Sequence, residues 1–222
     1  MLKFYYHTAP NPMKVALCLE EMGLDYEPVP VDTRKGEQFT PQFLSLNPNA
    51  KTPVLVDGET TVFDSNAILL YLAEKTGQFL PEPAQRGDLL SWLMFIASGI
   101  GPYSGQAVHF KRMSPVEQDY AIQRYQFEAE RHWGIVDDRL GRTPFMLGET
   151  YTIVDMALWG WARAAAFVLD EDKFDRLTHL KAWREKISAR PAAQRAEAIK
   201  DRHAFQAEVD EAAMKVMFRY LS

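Results

Sequence analysis

The 222-residue sequence contains a single cysteine, Cys18, and no excess of basic residues. One cysteine cannot form an intramolecular disulfide, and the composition fits a protein kept in a reducing, cytoplasmic compartment. The formal net charge is -5, from 25 Lys and Arg against 30 Asp and Glu. This balance argues against nucleic acids and anionic membranes as partners, because both are bound chiefly through clustered cations.

The sequence also lacks a long uninterrupted apolar run. Its most apolar segment is TIVDMALWGWARAAAFVL, in which Asp155 and Arg163 break the run. We therefore expect a buried helix here and no membrane span. The N-terminus reads MLKFYY, without the basic and apolar regions of a secretory signal, so no leader is expected.

Metal and phosphate motifs are missing as well. No set of His, Cys, Asp and Glu residues has the spacing of a metal site, and no glycine-rich phosphate loop is present. We therefore expect no metal cofactor.

The first ~80 residues alternate between strand-like and helical patterns. In chain order, we expect a strand over 2–6, a helix over 12–23 and a second strand over 26–31. A hairpin of two strands around the turn Asp57-Gly58-Glu59 follows, and then a helix over 65–77. Prolines in the second strand suggest a sheet edge. The order β-α-β, then β-β-α, favours a small sheet with helices on its faces.

Everything after the proline-rich stretch 78–87 is helical in pattern. The expected helices span 87–112 with a kink at Gly101-Pro102, 115–140, 152–168, 173–188, 190–200 and much of the tail. The sequence thus predicts an α/β domain over residues 1–80, a linker over 81–87 and an all-helical domain over 88–222. Thr152 and Asp155 have the spacing of a capping box.

The segment HTAPNPMK places Asn11 between Pro10 and Pro12, where the first strand ends and the first helix begins. Each proline fixes its own φ and restricts the residue before it, so the turn is stiff. One interpretation is that Asn11 caps the helix with Pro12 at its first position. That interpretation leaves Pro10 unexplained.

Three longer segments, in this order, resemble those of the glutathione transferases: NPNAKTPVLVD (47–57), DSNAILLYLAEK (64–75) and GETYTIVDMAL (148–158). The resemblance covers essentially the whole chain. It implies a thioredoxin-like domain followed by a helical bundle, glutathione as co-substrate, and a homodimer.

Within that family the sequence is most similar to the bacterial Nu class, a group of glutathione-dependent disulfide-bond reductases. The segments that carry this likeness include GEQFTPQFLSLNPNAKTPVLVD, GPYSGQAVHF and YAIQRYQFEAER. One position departs from the class, which has a threonine two residues before the asparagine of the first turn. Here that residue is Ala9.

The resemblance assigns the γ-glutamyl end of glutathione to Asp64 and Ser65. Ser65 stands at the start of a helix, where free backbone N–H groups and the helix dipole favour a carboxylate, and Asp64 can attract the neighbouring ammonium. The alternative is that Ser65 simply caps its helix.

For the rest of glutathione, the resemblance implies a cis bond at Thr52-Pro53, which would let the Thr52 backbone pair with the cysteinyl residue. Lys51 and Gln38 would hold the glycyl carboxylate. The alternative for both is a solvated loop residue, and this alternative is stronger for Gln38.

A second interpretation of Asn11 is that its side chain contacts the sulfur of glutathione. Thioredoxin-like redox proteins place a C-x-x-C motif at this turn, yet no cysteine is near it, and Cys18 is expected in the core. The reactive sulfur would then come from glutathione, with Asn11 as a fixed amide donor that lowers the thiol pKa. Tyr6 is the alternative, tyrosine-type catalyst.

In the helical half, Arg131 matches a Nu-class arginine that reaches glutathione, and Tyr103, His109 and Phe110 are candidates to line the second-substrate pocket. A surface arginine and aromatic core packing are the alternatives. The predicted function is activation of the glutathione thiolate, for transfer to a small hydrophobic electrophile or for reduction of a disulfide or peroxide. The alternative is a non-catalytic scaffold, which would have lost the binding residues.

Overall fold

The computed structural model describes residues 1–219. The chain forms two compact units. The first comprises Met1–Leu72 and the chain from Pro191 onward, and the second comprises Ala73–Arg190. This grouping differs from the predicted division at residues 80 and 88, because the C-terminal part of the chain packs with the N-terminal part.

A four-stranded sheet organises the first unit. Its strands are β1, β2, β3 and β4: Leu2–Tyr6, Tyr26–Pro30, Val54–Asp57 and Thr60–Phe63. The spatial order is β2-β1-β3-β4, with β1 parallel to β2 and antiparallel to β3. The predicted strands and hairpin are confirmed, and β2 lies at a sheet edge, where its prolines are tolerated.

Three helices accompany the strands: α1 (Pro10–Met22), α2 (Pro41–Leu46) and α3 (Ser65–Thr76). Helix α1 is buried over most of its length, including Val15, Leu17 and Cys18. It ends at Gly23, whose left-handed φ of 62° is typical of a glycine that closes a helix. Cys18 is a core residue, and burial raises the pKa of its thiol.

The C-terminal part of the first unit begins with α11 (Pro191–Glu197), which packs against α1. The Arg195 guanidinium lies 2.7 Å from the Glu20 carboxylate across this contact. After a 3-10 turn, residues 203–210 form no helix, so the prediction of a helical tail is wrong there. Helix α12 (Glu211–Met217) follows.

The extended segment 203–210 is held by the loop after β2. The Gln206 N–H donates to the Asp32 carboxylate at 2.8 Å, and the Arg34 guanidinium donates to the carbonyls of Gln206 and Ala207. These bonds use up backbone groups that a helix would pair internally, which explains why the tail is extended here.

The second unit is helical. Its helices, α4 to α10, are Arg86–Phe95, Gly101–Val108, Asp119–Leu140, Ile153–Ala162, Ala165–Leu169, Glu171–Phe174 and Thr178–Ser188. The predicted kink near Gly101-Pro102 coincides with a π-helical turn over Ile96–Ile100, which separates α4 from α5. Pro102 has no N–H and so cannot donate a hydrogen bond to the preceding turn. Prolines and π-helical turns are both common causes of helix kinks.

Two predicted helices are each broken in two. The stretch 152–168 divides into α7 and α8 after Ala162, and 173–188 divides into α9 and α10. The predicted capping box is confirmed at α7, where the Thr152 N–H donates to the Asp155 carboxylate at 3.0 Å. The same buried carboxylate accepts from the Trp183 indole at 3.2 Å, which ties α7 to α10.

Within residues 1–219, every helix falls short of the length and apolar character that crossing a bilayer requires. The same residues contain no group of three or more His, Cys, Asp or Glu side chains placed to hold a metal ion.

Candidate functional site

A pocket of about 180 Å³ in the first unit brings most of the predicted site residues together. It is lined by residues from the start of α1, the loop before β3, and the junction of β4 with α3: Asn11, Asn47, Asn49, Lys51, Thr52, Pro53, Phe63, Asp64 and Ser65. Six of these were predicted from the sequence. Asn47, Asn49 and Phe63 were not.

Asp64 is the capping residue of α3. Its Oδ1 accepts from the N–H groups of Asn66 at 2.9 Å and Ala67 at 3.2 Å. Its φ of 74° lies in the left-handed region, which Asp tolerates better than most residues. The interpretation of Ser65 as the cap is therefore wrong, because Asp64, the residue before the helix, accepts two of its free N–H groups.

Ser65 is instead the first residue of α3, buried and part of the pocket wall. Its hydroxyl oxygen accepts a hydrogen bond from the Lys14 ammonium at 3.3 Å. A serine hydroxyl has one proton to donate, so this proton is available for an acceptor in the pocket. The start of α3 thus offers a hydroxyl donor and the positive end of a helix dipole to an anion.

Lys14 was missed by the sequence reasoning. It lies on α1 with 1% of its surface exposed, and burial lowers its pKa to about 7, an effect that Asp64 partly opposes. The only signal in the sequence is its position between Met13 and Val15, on a helix whose neighbouring residues are also buried.

Asn11 is the second residue of α1. The residue before the helix is Ala9, which makes no side-chain capping bond, and Pro10 is the first helical residue. The interpretation of Asn11 as a cap is therefore wrong. The helix begins at Pro10, one residue before the start that a cap at Asn11 would give. Asn11 therefore lies in the first turn of the helix, where it lines the pocket.

Tyr6 is fully buried and engaged elsewhere. Its hydroxyl donates to the Ile199 carbonyl at 3.0 Å and lies 2.9 Å from Nδ1 of His203. Burial raises its pKa to about 12. Tyr6 is not among the residues that line the pocket, so the structure does not support it as the sulfur partner.

The loop before β3 is fixed by Asn47, which is buried. Its side-chain amide donates to the Lys51 carbonyl at 2.7 Å, and its Oδ1 accepts from the Asn49 N–H at 3.0 Å. The Thr52-Pro53 bond is cis, as the resemblance implied. Lys51 is exposed at the pocket rim, where its ammonium is available to an anion.

Gln38 lies in an adjoining pocket of about 290 Å³ that shares Asn49, Lys51 and Thr52 with the first. It is buried, and its amide Nε2 donates to the Thr33 carbonyl at 3.0 Å. The structure thus places Gln38 beside Lys51 but in the second pocket.

Four predicted residues belong to the second unit. Arg131, on α6, contacts the Glu128 carboxylate at 2.8 and 3.0 Å. The Tyr103 ring lies 4.8 Å from that of His132, and the His109 ring lies 5.1 Å from that of Phe110. Burial lowers the pKa of His109. Their assignment to ligands stays a prediction.

The pocket of the first unit is chemically suited to a zwitterionic peptide. Lys51, the buried Lys14 and the start of α3 provide positive charge for carboxylates, and the exposed Asp64 provides one negative charge for an ammonium. Cys18 is buried in the core, so the pocket has no thiol of its own among residues 1–219.

The sequence matches two family models. The model of the glutathione S-transferase N-terminal domain matches residues 1–74, and that of the C-terminal domain matches residues 119–186.

Among curated relatives, the disulfide-bond oxidoreductase YfcG of Escherichia coli is 42% identical over 202 residues, covering 86% of this chain and 92% of the relative. The disulfide-bond oxidoreductase YghU of the same organism is 36% identical, covering 87% and 73%. The expected likeness to the Nu-class disulfide-bond reductases is confirmed by these relatives.

Solved structures show the same fold. A glutathione transferase from Pseudomonas putida, with one glutathione disulfide bound per subunit, has a TM-score of 0.85 and 36% identity, covering 90% of this chain and 91% of that one. A family member from Pseudomonas fluorescens with two glutathione molecules bound has a TM-score of 0.84 and 37% identity, covering 88% and 91%.

Proposed function

This chain belongs to the glutathione S-transferase family, and on that premise we propose that it is an enzyme that binds glutathione and activates its thiolate. The reaction is reduction of a disulfide or peroxide, or transfer of glutathione to a small electrophile. The observation that carries the proposal is the pocket in which Asn11, Lys51, Thr52 and Ser65 come together with Asp64.

The residues at the start of α3 bind the γ-glutamyl end of glutathione. The Ser65 hydroxyl donates to its carboxylate, and Asp64 attracts its ammonium through the carboxylate oxygen that does not cap the helix. Lys51 binds the glycyl carboxylate from the pocket rim, and Gln38 lies beside it in the adjoining pocket.

The backbone of Thr52 pairs with the cysteinyl residue, and the amide of Asn11 donates to the sulfur. A donor to the thiolate lowers the thiol pKa because it stabilises the charged form, and the N-terminus of α1 adds to this effect. Pro10 and Pro12 hold the first turn of α1 rigid, so the donor is positioned before the ligand binds.

Disulfide reduction is the favoured reaction because two relatives are named disulfide-bond oxidoreductases. Two glutathione molecules and one disulfide yield two thiols and glutathione disulfide, so two electrons and two protons pass to the substrate. Ala9 removes the hydroxyl that the Nu class has beside the sulfur, which weakens this assignment relative to transfer. Arg131, Tyr103 and His109 remain predicted ligand contacts.

We also propose a cytoplasmic homodimer. The single, reduced cysteine fits a reducing compartment. Helix α4 carries the exposed apolar residues Leu90 and Met94, one turn apart, and such residues support association with a second copy.

The proposal is tested by calorimetric titration with glutathione and by turnover of a model disulfide and a model aryl halide. Asn11→Asp should lower turnover at neutral pH by about tenfold or more, or ~1.4 kcal/mol of barrier per tenfold, because a carboxylate beside the sulfur raises the thiol pKa. The melting temperature should barely change, because Asn11 is not a cap and an acidic residue suits the first helical turn.

Gln78→Glu, the same amide-to-carboxylate change at an exposed position, is the control and should leave turnover unchanged. A fully active Asn11→Asp variant would show that the helix dipole alone activates the sulfur. A protein that binds no glutathione would instead be the non-catalytic scaffold.

A further inference from the structure

Lys14 has an unusual environment for a lysine. Its side chain is almost fully buried, and its ammonium donates to Ser65 Oγ at 3.3 Å and to Asn66 Oδ1 at 3.2 Å. Both partners are neutral. Burying an ammonium costs free energy unless a negative charge compensates it. The two neutral partners do not supply that charge.

The carboxylate that acts on Lys14 is that of Asp64. Asp64 is exposed, and its Oδ1 already accepts the two backbone N–H groups that it caps. The compensation from within the protein is therefore partial, and the ammonium lies behind a serine whose other side faces the pocket.

We propose that Lys14 is a positioning residue for the carboxylate at the γ-glutamyl end of glutathione. Its ammonium occupies the acceptor side of the Ser65 hydroxyl, so the hydroxyl proton points into the pocket, and it places a buried positive charge behind the carboxylate site. The inference rests on the proposed function, because it takes glutathione as the ligand.

The proposal couples ligand binding to protonation. Burial holds the pKa of Lys14 near 7 in the ligand-free protein, and a carboxylate arriving at Ser65 favours the charged form and raises that pKa. Lys14 therefore takes up a proton when glutathione binds near neutral pH, and affinity falls as pH rises above 7. The other charged group facing Lys14 is Asp64, while Ser65 and Asn66 are uncharged.

The test is calorimetry with two ligands at pH 6.5: glutathione, and the analogue γ-aminobutyryl-cysteinyl-glycine, which lacks the α-carboxylate of the glutamyl residue. Lys14→Met, which keeps the length of the side chain, should weaken glutathione binding by about tenfold or more and the analogue by less than about twofold. Lys14→Arg should restore most of the affinity for glutathione. Lys3→Met, at an exposed lysine of the first unit, is the control and should change neither.

A second measurement uses the unaltered protein. Ionisation of the thiol releases a proton with either ligand, so titrations in buffers of different ionisation enthalpy at pH 7.5 should show a proton balance that is shifted towards uptake for glutathione relative to the analogue. The inference is overturned if Lys14→Met weakens both ligands alike or neither, or if the unaltered protein shows the same proton balance with both ligands. In those cases glutathione still binds and the proposed function stands. No binding by the unaltered protein would overturn both.

Discussion

At the scale of single residues, the start of α3 divides two tasks between adjacent side chains. Asp64 satisfies the free N–H groups of the helix, and Ser65 presents its hydroxyl to the pocket. A serine in this position is read from sequence as a helix cap. Asp64 thus caps the helix as well as facing the ligand, whereas Ser65 has no part in capping, so a substitution of Ser65 tests binding without removing the cap.

Ser65→Ala should weaken glutathione binding by roughly 1–3 kcal/mol, the usual cost of a lost hydrogen bond to a charged group, and should leave the Asp64 cap of α3 in place. Asp64→Ala should lower the free energy of unfolding by about 1 kcal/mol, because it removes the cap. Calorimetric titration and thermal unfolding of both variants measure these effects. Normal glutathione binding by Ser65→Ala would contradict the role of its hydroxyl in the pocket.

His7 gives the first unit a dependence on pH. It is buried, neither ring nitrogen has a hydrogen-bond partner within residues 1–219, and its ring lies 4.7 Å from that of Phe205. Burial lowers its pKa below the ordinary 6.5, Arg34 adds to this, and Asp32 partly opposes it. On acidification the unfolded chain therefore binds this proton first, which favours unfolding.

We expect the contribution of His7 to the free energy of unfolding to fall as pH decreases from about 6.5 towards 5, by up to ~1.4 kcal/mol per pH unit. His7→Phe should reduce this slope by removing the titrating group. Urea unfolding at several pH values measures the slope in both proteins. Equal slopes would show that His7 does not titrate differently in the folded and unfolded states.

At the scale of elements, the part of the first unit beyond residue 190 contributes to the core around β1. Phe205 lies 5.4 Å from the Tyr6 ring and 4.7 Å from the His7 ring, while Ile199 accepts from the Tyr6 hydroxyl. The segment also lines the pocket beside Gln38 through Met217. It thus supports both the sheet and the surroundings of the site.

Phe205→Ala should lower the free energy of unfolding by about 1–3 kcal/mol. This is less than the loss for a fully buried phenylalanine, because Phe205 is only partly buried. Val209→Ala, in the same extended segment but more exposed, should change stability by less than about 0.5 kcal/mol. Thermal and urea unfolding compare the two variants. Similar small effects in both would mean that the segment lies on the first unit without stabilising it.

The strands, the hairpin and the capping box of α7 could be predicted because local sequence decides them. The divisions of 152–168 and 173–188 could not, because the residues at both breaks continue a helical pattern. The environments of Lys14 and Tyr6 could not be predicted from the sequence either. Nothing in the local sequence distinguishes a buried lysine from a solvated one, and the Tyr6 hydroxyl donates to the carbonyl of Ile199, which lies 193 residues further along the chain.

At the scale of the whole molecule, association is the property to test. We expect light scattering at micromolar concentration to give twice the mass of one chain. Replacing Leu90 and Met94 together by Glu should shift the protein towards the monomer, because charges would then have to be buried at the contact. Val209→Glu, at an exposed apolar residue of the first unit, is the control.

A monomeric unaltered protein would contradict the expected dimer. A dimer that survives the double substitution would show that the contact lies on another surface.

The return of the chain to its first unit has a consequence for biosynthesis. Residues 1–72 leave the ribosome long before α11 and the segment that covers Tyr6 and His7 are made. During that interval the sheet and α1 exist without their last partner, and Tyr6 lacks the Ile199 carbonyl. The first unit is therefore completed only after the second has been translated, and a message cut short before codon 191 encodes a pocket whose supporting core is unfinished.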